Sequence, residues 1–125
     1  MKFINTFEEA CEAKKLNPLT VIPDFSCYPE KHRKAMVAHA KLVIIGEASN
    51  EDWVPDWANY EQPKFYPWFD YTAETSAGSG FAFDGYVDWH SRSIVGSRLC
   101  FQSRELAEHI GKTFEHLYKD YFVIE

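Results

Sequence analysis

The apolar positions of the chain change rhythm twice, from a helical period to alternation and back to a helical period. Phe7, Ala10 and Cys11 recur at helical spacing over residues 7–15. Thr6 and Glu9 stand ahead of them as a capping box, in which each side chain serves an orphan backbone N–H of the other. Asn17-Pro18 closes this helix. Leu19, Val21, Ile22 and Phe25 make residues 19–28 an apolar connection. Pro29, a residue favoured in a first helical turn, opens a second helix with a core stripe of Met36, Val37, Ala40, Val43 and Ile44. Residues 42–46, with their β-branched run, also suit a short strand; a helix is the preferred reading.

From Asp52 to Pro67, two tryptophans and three prolines predict an aromatic-pinned loop. Lys64 to Thr72 then reads as a strand, and Pro67 within it calls for a sheet edge or a bulge. Residues 73–80 are small and polar, the composition of a surface loop. Phe81-Ala82-Phe83 and Tyr86-Val87-Asp88-Trp89 form a second strand, with Gly85 at a bulge. His90 to Ser93 is a hairpin connection to a third strand, Ile94 to Phe101. Ser103 caps a final helix, with Glu105 in its first turn and a stripe of Leu106, Ala107, Ile110, Phe114, Leu117, Tyr118 and Tyr121. The expected fold is α+β: two N-terminal helices, a short antiparallel three-stranded meander, and a C-terminal amphipathic helix packed on one face of the sheet.

At 125 residues, with 46% hydrophobic and 26% charged positions, the chain has the composition of one globular domain over residues 1–125 and not of a disordered or fibrous protein. The net charge is −6, and it is concentrated. Residues 53–90 hold Lys64 alone against Asp56, Glu61, Asp70, Glu74, Asp84 and Asp88. Such a segment repels a phosphate backbone, so no duplex nucleic-acid partner is expected. Cys11, Cys27 and Cys100 are odd in number and widely spaced, which suits reduced core thiols better than a disulfide framework. Residues 1–6 carry no signal-peptide core, and the longest apolar run is far shorter than a membrane span. A cytoplasmic protein with no membrane partner is expected.

Candidate chemistry narrows quickly. His32 and His39, like His109 and His116, are seven residues apart on helices, too far to share an ion, so no metal and no other cofactor is expected. His109 and His116 fall with Glu105 and Lys112 on the flank opposite the apolar stripe, a solvated face. No nucleophile elbow or phosphate loop is present, so no catalytic residue is assigned. Glu47 falls beside Val43 and Ile44, where burial would raise its pKa, although a frayed helix end at Gly46 leaves it hydrated. The informative stretch is residues 53–89, which hold twelve of the 21 aromatic residues, interleaved with aspartates. Stacking rings beside carboxylates suit a recognition surface, and Trp53 and Trp57, on a loop, are its foremost members. The candidate binding residues are Trp53, Asp56, Trp57, Tyr66, Trp68, Asp88, Trp89 and Arg98. Arg98 either neutralises an aspartate of the acidic segment or clamps an anionic ligand.

Trp53-Val54-Pro55-Asp56-Trp57, Lys64-Phe65-Tyr66-Pro67-Trp68-Phe69, Gly96-Ser97-Arg98-Leu99-Cys100-Phe101 and Ser103-Arg104-Glu105-Leu106-Ala107, with Thr6-Phe7-Glu8-Glu9-Ala10 at the start, form a pattern. It resembles a group of small proteins encoded by phages and integrated elements of gut bacteria. The resemblance implies an accessory protein of a mobile element and transfers no catalytic residue. Residues and resemblance together point to a non-enzymatic interaction protein that binds a protein partner, or itself as a homodimer, through its acidic aromatic surface. The alternatives are binding or hydrolysis of glycans by the Trp and Asp residues and, more weakly, stacking of single-stranded nucleic acid.

Overall fold

In the computed structural model, residues 1–59, 61–70, 82–89 and 98–124 are described; for Asp70 and residues 82–89 the description covers the backbone alone. Four helices and two strands follow one another: α1 (Phe7–Lys14), α2 (Glu30–Asn50), β1 (Lys64–Asp70), β2 (Ala82–Trp89), α3 (Arg104–Thr113) and α4 (Glu115–Phe122).

Thr6 caps α1 as the sequence implies, but the reciprocal bond of the capping box goes to Asn5 rather than to Thr6. Thr6 Oγ1 accepts from the Glu9 N–H at 3.1 Å, and the Glu9 carboxylate reaches back to the Asn5 N–H at 3.0 Å. α1 ends on Lys15 in the left-handed region, φ 58°, where the Leu16 N–H returns to the Cys11 carbonyl at 2.8 Å. α2 runs unbroken for 21 residues, so residues 42–46 are helical. Its buried face differs from the expected one. Ala38, Leu42, Ile45 and Ser49 are buried, whereas Met36, Val37, Ala40, Val43 and Ile44 are only half-buried. The face is rotated by one residue, about 100°. Small residues occupy this face: Ala38, Gly46, Ala48 and Ser49 are all buried, and hydropathy alone gives them little weight. Ser49 satisfies its buried hydroxyl by donating to the Ile45 carbonyl at 2.7 Å.

The three-stranded α+β arrangement is corrected. The described residues form a mainly helical molecule with one antiparallel pair, β1 with β2. The pair is irregular at Trp68: Pro67 lies opposite Tyr86 and Phe69 opposite Phe83, so Asp84 and Gly85 together face one residue. This is the bulge that Pro67 and Gly85 predicted. Of the expected third strand, residues 94–97 lie outside the described residues, as do the loop at 73–80 and the connection at 90–93. Its described end contributes a single bridge, Phe65 N–H to Phe101 O at 3.0 Å and Phe101 N–H to Phe65 O at 2.6 Å. It extends no further because Arg98 and Leu99 are in a turn and Ser103 already caps α3.

The single C-terminal helix is also corrected. The apolar stripe continues in phase through Phe114, but the backbone breaks there, at φ −113° and ψ 28°. The break lets α3 lie against β1 and β2 while α4 lies against α2. A continuous hydrophobic period could not reveal it, because Ile110, Phe114 and Leu117 all remain buried on both sides of the break. Phe69 reaches into the same core and meets the Tyr118 ring at 4.8 Å. Cys11 and Cys100 are buried free thiols as expected, but Cys27 is exposed. His109 is not on a solvated face: its Nε2–H donates to the Ile4 carbonyl at 2.9 Å, and its ring meets Phe3 edge-on.

Candidate functional site

The C-terminal end of α2 directs the chain into the tryptophan loop. Asn50 O accepts from the Trp53 N–H at 3.1 Å, closing a turn over Glu51 and Asp52. Glu51 has φ 55° and ψ −116°, a conformation that belongs to glycine and that stores strain of roughly 1–3 kcal/mol in any other residue. This turn fixes where Trp53 leaves the helix.

The Asn50 side chain secures the other wall. Its Nδ2 donates to the Cys100 carbonyl at 2.9 Å, and its Oδ1 accepts from the Gln102 N–H at 3.1 Å. Gln102 Nε2 in turn donates to the Asn50 carbonyl at 2.9 Å. Residues 100–102 thus present one edge to β1 through Phe101 and the other to Asn50, whose carboxamide occupies the place of a peptide group in a further strand. At Gly46, a Cβ would lie 3.6 Å from the Arg98 carbonyl, so the turn bearing Arg98 sits directly on α2.

Between these walls lies an open groove of about 570 Å³, lined by Val43, Glu47, Asn50, Trp53, Val54, Pro55, Trp57, Arg98 and Cys100. Both indoles are half-buried, and Val54 is 73% exposed beside them. Arg98 is exposed and has no ion pair among the described residues. Glu47 is exposed and ion-paired to Lys14 of α1 at 3.4 Å, so the carboxylate is hydrated although the helix does not fray at Gly46. Burial pushes the Cys100 thiol up to about 11, against the opposing pull of the nearby Lys64 charge. The thiol is therefore protonated at neutral pH and no nucleophile.

Lys64 is the residue that sequence reasoning missed. As the one cation of the acidic segment it would be expected in solvent, yet it is 0% exposed. Its Nζ donates to the Gln62 carbonyl at 2.9 Å and to the Asn59 carbonyl at 3.4 Å, and it lies 5.1 Å from the centre of the Trp57 ring. An ammonium that gathers loop carbonyls and stacks on an indole holds that indole in one orientation. The signal available in the sequence was its isolation among carboxylates within an aromatic run.

Of the eight residues expected to bind, the groove unites Trp53, Trp57 and Arg98. Asp56 serves the loop itself: its Oδ1 accepts from the Ala58 N–H at 3.0 Å, and its own N–H donates to Gln62 Oε1 at 2.6 Å. Tyr66 is half-buried on β1, and Trp68, 48% exposed, stands at the bulge; neither lines the groove. Asp88 and Trp89 pair through their backbones with Phe65 and Lys64, and their side chains lie outside the described residues.

Among the described residues no group of three His, Cys, Asp or Glu is placed to hold a metal ion, and no helix is long and apolar enough to cross a membrane. A scan against protein-family models and searches of curated proteins and of solved structures give no match to this chain.

Proposed function

We propose that this chain is a non-enzymatic binding protein that receives a segment of a partner protein in the groove of Trp53, Trp57 and Arg98. The observation that carries the reading is the convergence of two half-exposed indoles with an exposed guanidinium that has no ion pair among the described residues. Tryptophan and arginine dominate binding energy at protein interfaces, because both offer a large apolar surface with a directional polar group. The walls are also fixed before anything binds, through the Lys64 ammonium on one side and the Asn50 carboxamide on the other. A pre-set groove spends little free energy on ordering.

A groove of about 570 Å³ lies within the roughly 300–1,000 Å³ range of ligand clefts and has room for a few side chains of a bound segment.

The test is selection of random peptides displayed on phage against the immobilised protein, followed by titration of the recovered peptides. Trp53→Ala and Trp57→Ala should each weaken binding at least tenfold while their urea unfolding stays cooperative. Recovered peptides that bind both variants as tightly as the parent, or no recovered peptide at all, would refute the proposal.

A further inference from the structure

The charge pattern within the groove narrows the chemistry of its occupant. We infer that the bound segment carries an internal aspartate or glutamate next to a bulky apolar residue, with the carboxylate on Arg98 and the apolar side chain against Trp53 and Trp57. This inference rests on the binding role proposed above and adds to it the class of ligand.

The two charged groups that line the groove are not equivalent. Glu47 is engaged by Lys14 at 3.4 Å, whereas Arg98 has no carboxylate partner among the described residues. A guanidinium offers parallel N–H donors that match a carboxylate in a bidentate pair, so an acidic side chain completes it and a basic one does not.

Apolar groups supply the rest of the recognition. Val43, Val54, Pro55 and the two indoles surround the charged pair with surface that gains from being removed from water. A carboxylate alone would leave that surface wet, and an apolar segment alone would bury beside the guanidinium with nothing to pair it. The groove is open rather than enclosed, so a segment can pass along it and present an internal side chain to Arg98. The backbone of Arg98 is seated against Gly46, where a Cβ would stand 3.6 Å from the Arg98 carbonyl, which places the residue at the α2 side of the groove.

The experiment compares three forms of the protein against the same displayed library: the parent, Arg98→Gln and Arg98→Glu. The parent should enrich peptides with Asp or Glu beside Leu, Phe, Trp or Pro. Those peptides should bind Arg98→Gln at least tenfold more weakly, with no change in the midpoint of urea unfolding. Arg98→Glu should reverse the preference and enrich Lys or Arg at the same position. Amidation of the peptide C-terminus should leave affinity unchanged; a tenfold loss on amidation would overturn the side-chain assignment in favour of a terminal carboxylate. Peptides that depend on Trp53 and Trp57 but show no acidic enrichment would overturn this inference and leave the binding role standing. Peptides that depend on neither tryptophan would remove the binding role itself.

Discussion

Replacing Asn50 tests whether a single carboxamide holds residues 100–102 in place. Asn50 is 7% exposed, and its side chain makes two hydrogen bonds, to the Cys100 carbonyl and from the Gln102 N–H. Each is worth about 1 kcal/mol net, and stranding a buried partner group adds about 1–3 kcal/mol. Asn50→Ala should therefore cost about 3–5 kcal/mol, a large share of a typical domain's stability. Asn50→Asp is the sharper variant. One carboxylate oxygen still accepts from Gln102, but the other replaces Nδ2 and faces the Cys100 carbonyl, acceptor against acceptor. At neutral pH the cost should be at least that of alanine. Protonation restores a donor, so the variant's carboxyl has a folded pKa above the ordinary Asp value of about 3.9. The native state then holds the proton more tightly than the unfolded chain, and stability falls as pH rises from that value through the folded pKa. Urea unfolding followed by circular dichroism at pH 7 and pH 4, with m-values shown to be unchanged, measures the difference from the parent at each pH. The gap should shrink to within about 1 kcal/mol at pH 4 if the two bonds are what matters. A variant as stable as the parent at pH 7, or equally impaired at both pH values, would refute this account.

Other expectations can be checked on the same protein. The Tyr118 hydroxyl is buried without a hydrogen-bond partner among the described residues, and burial holds its pKa well above the usual tyrosine value; Tyr118→Phe should stabilise by about 1 kcal/mol by removing that polar group, read as a higher melting temperature. Lys15 has φ 58°, so Lys15→Gly should be neutral or stabilising by up to about 1 kcal/mol, and Lys15→Val should be clearly destabilising in the same melt. Burial lowers the His39 pKa beneath its ordinary 6.5, with its ring 4.7 Å from Tyr121. The unfolded chain then takes up the proton first, so stability should be full above about pH 7 and decline as pH falls through 6.5 and on through the folded value. His39→Gln should flatten that part of the profile, and an unchanged slope would assign it to another group. Lys64→Met keeps the stem but removes the ammonium from Trp57 and the loop carbonyls, and it should broaden and red-shift tryptophan emission at 25 °C.

The elements that local chemistry specifies were legible in the sequence. Thr6 and Ser103 cap their helices as read, and Pro67 with Gly85 marks the bulge. Tertiary choices were less visible. α2 turns its small residues inward together with Leu42 and Ile45, which a hydropathy stripe does not single out, and Phe114 breaks a helix whose apolar period runs on without interruption. The described end of the expected third strand makes only the Phe65–Phe101 bridge, because Arg98 and Leu99 turn before it and Ser103 caps α3 after it. Within the site, Trp53, Trp57 and Arg98 were readable as residue types out of place, a pair of indoles on a loop and a strand arginine. Asn50 and Lys64 were not, since their importance comes from burial beside partners distant in the chain or hidden in a loop.

The contact between Asn50 and Cys100 spans 50 positions, and that separation bears on how the molecule assembles. Closing a loop of that length costs about 3.5 kcal/mol of chain entropy, more than two side-chain hydrogen bonds return. The closure holds only together with the Phe65–Phe101 bridge and the stacking of Phe69 on Tyr118. Residues 64–69 and 100–102 are thereby tied to the helical core in one cooperative step. The tryptophan loop should be as slow to exchange its protected amides as the helices beneath it, and loosening it would mean unfolding them.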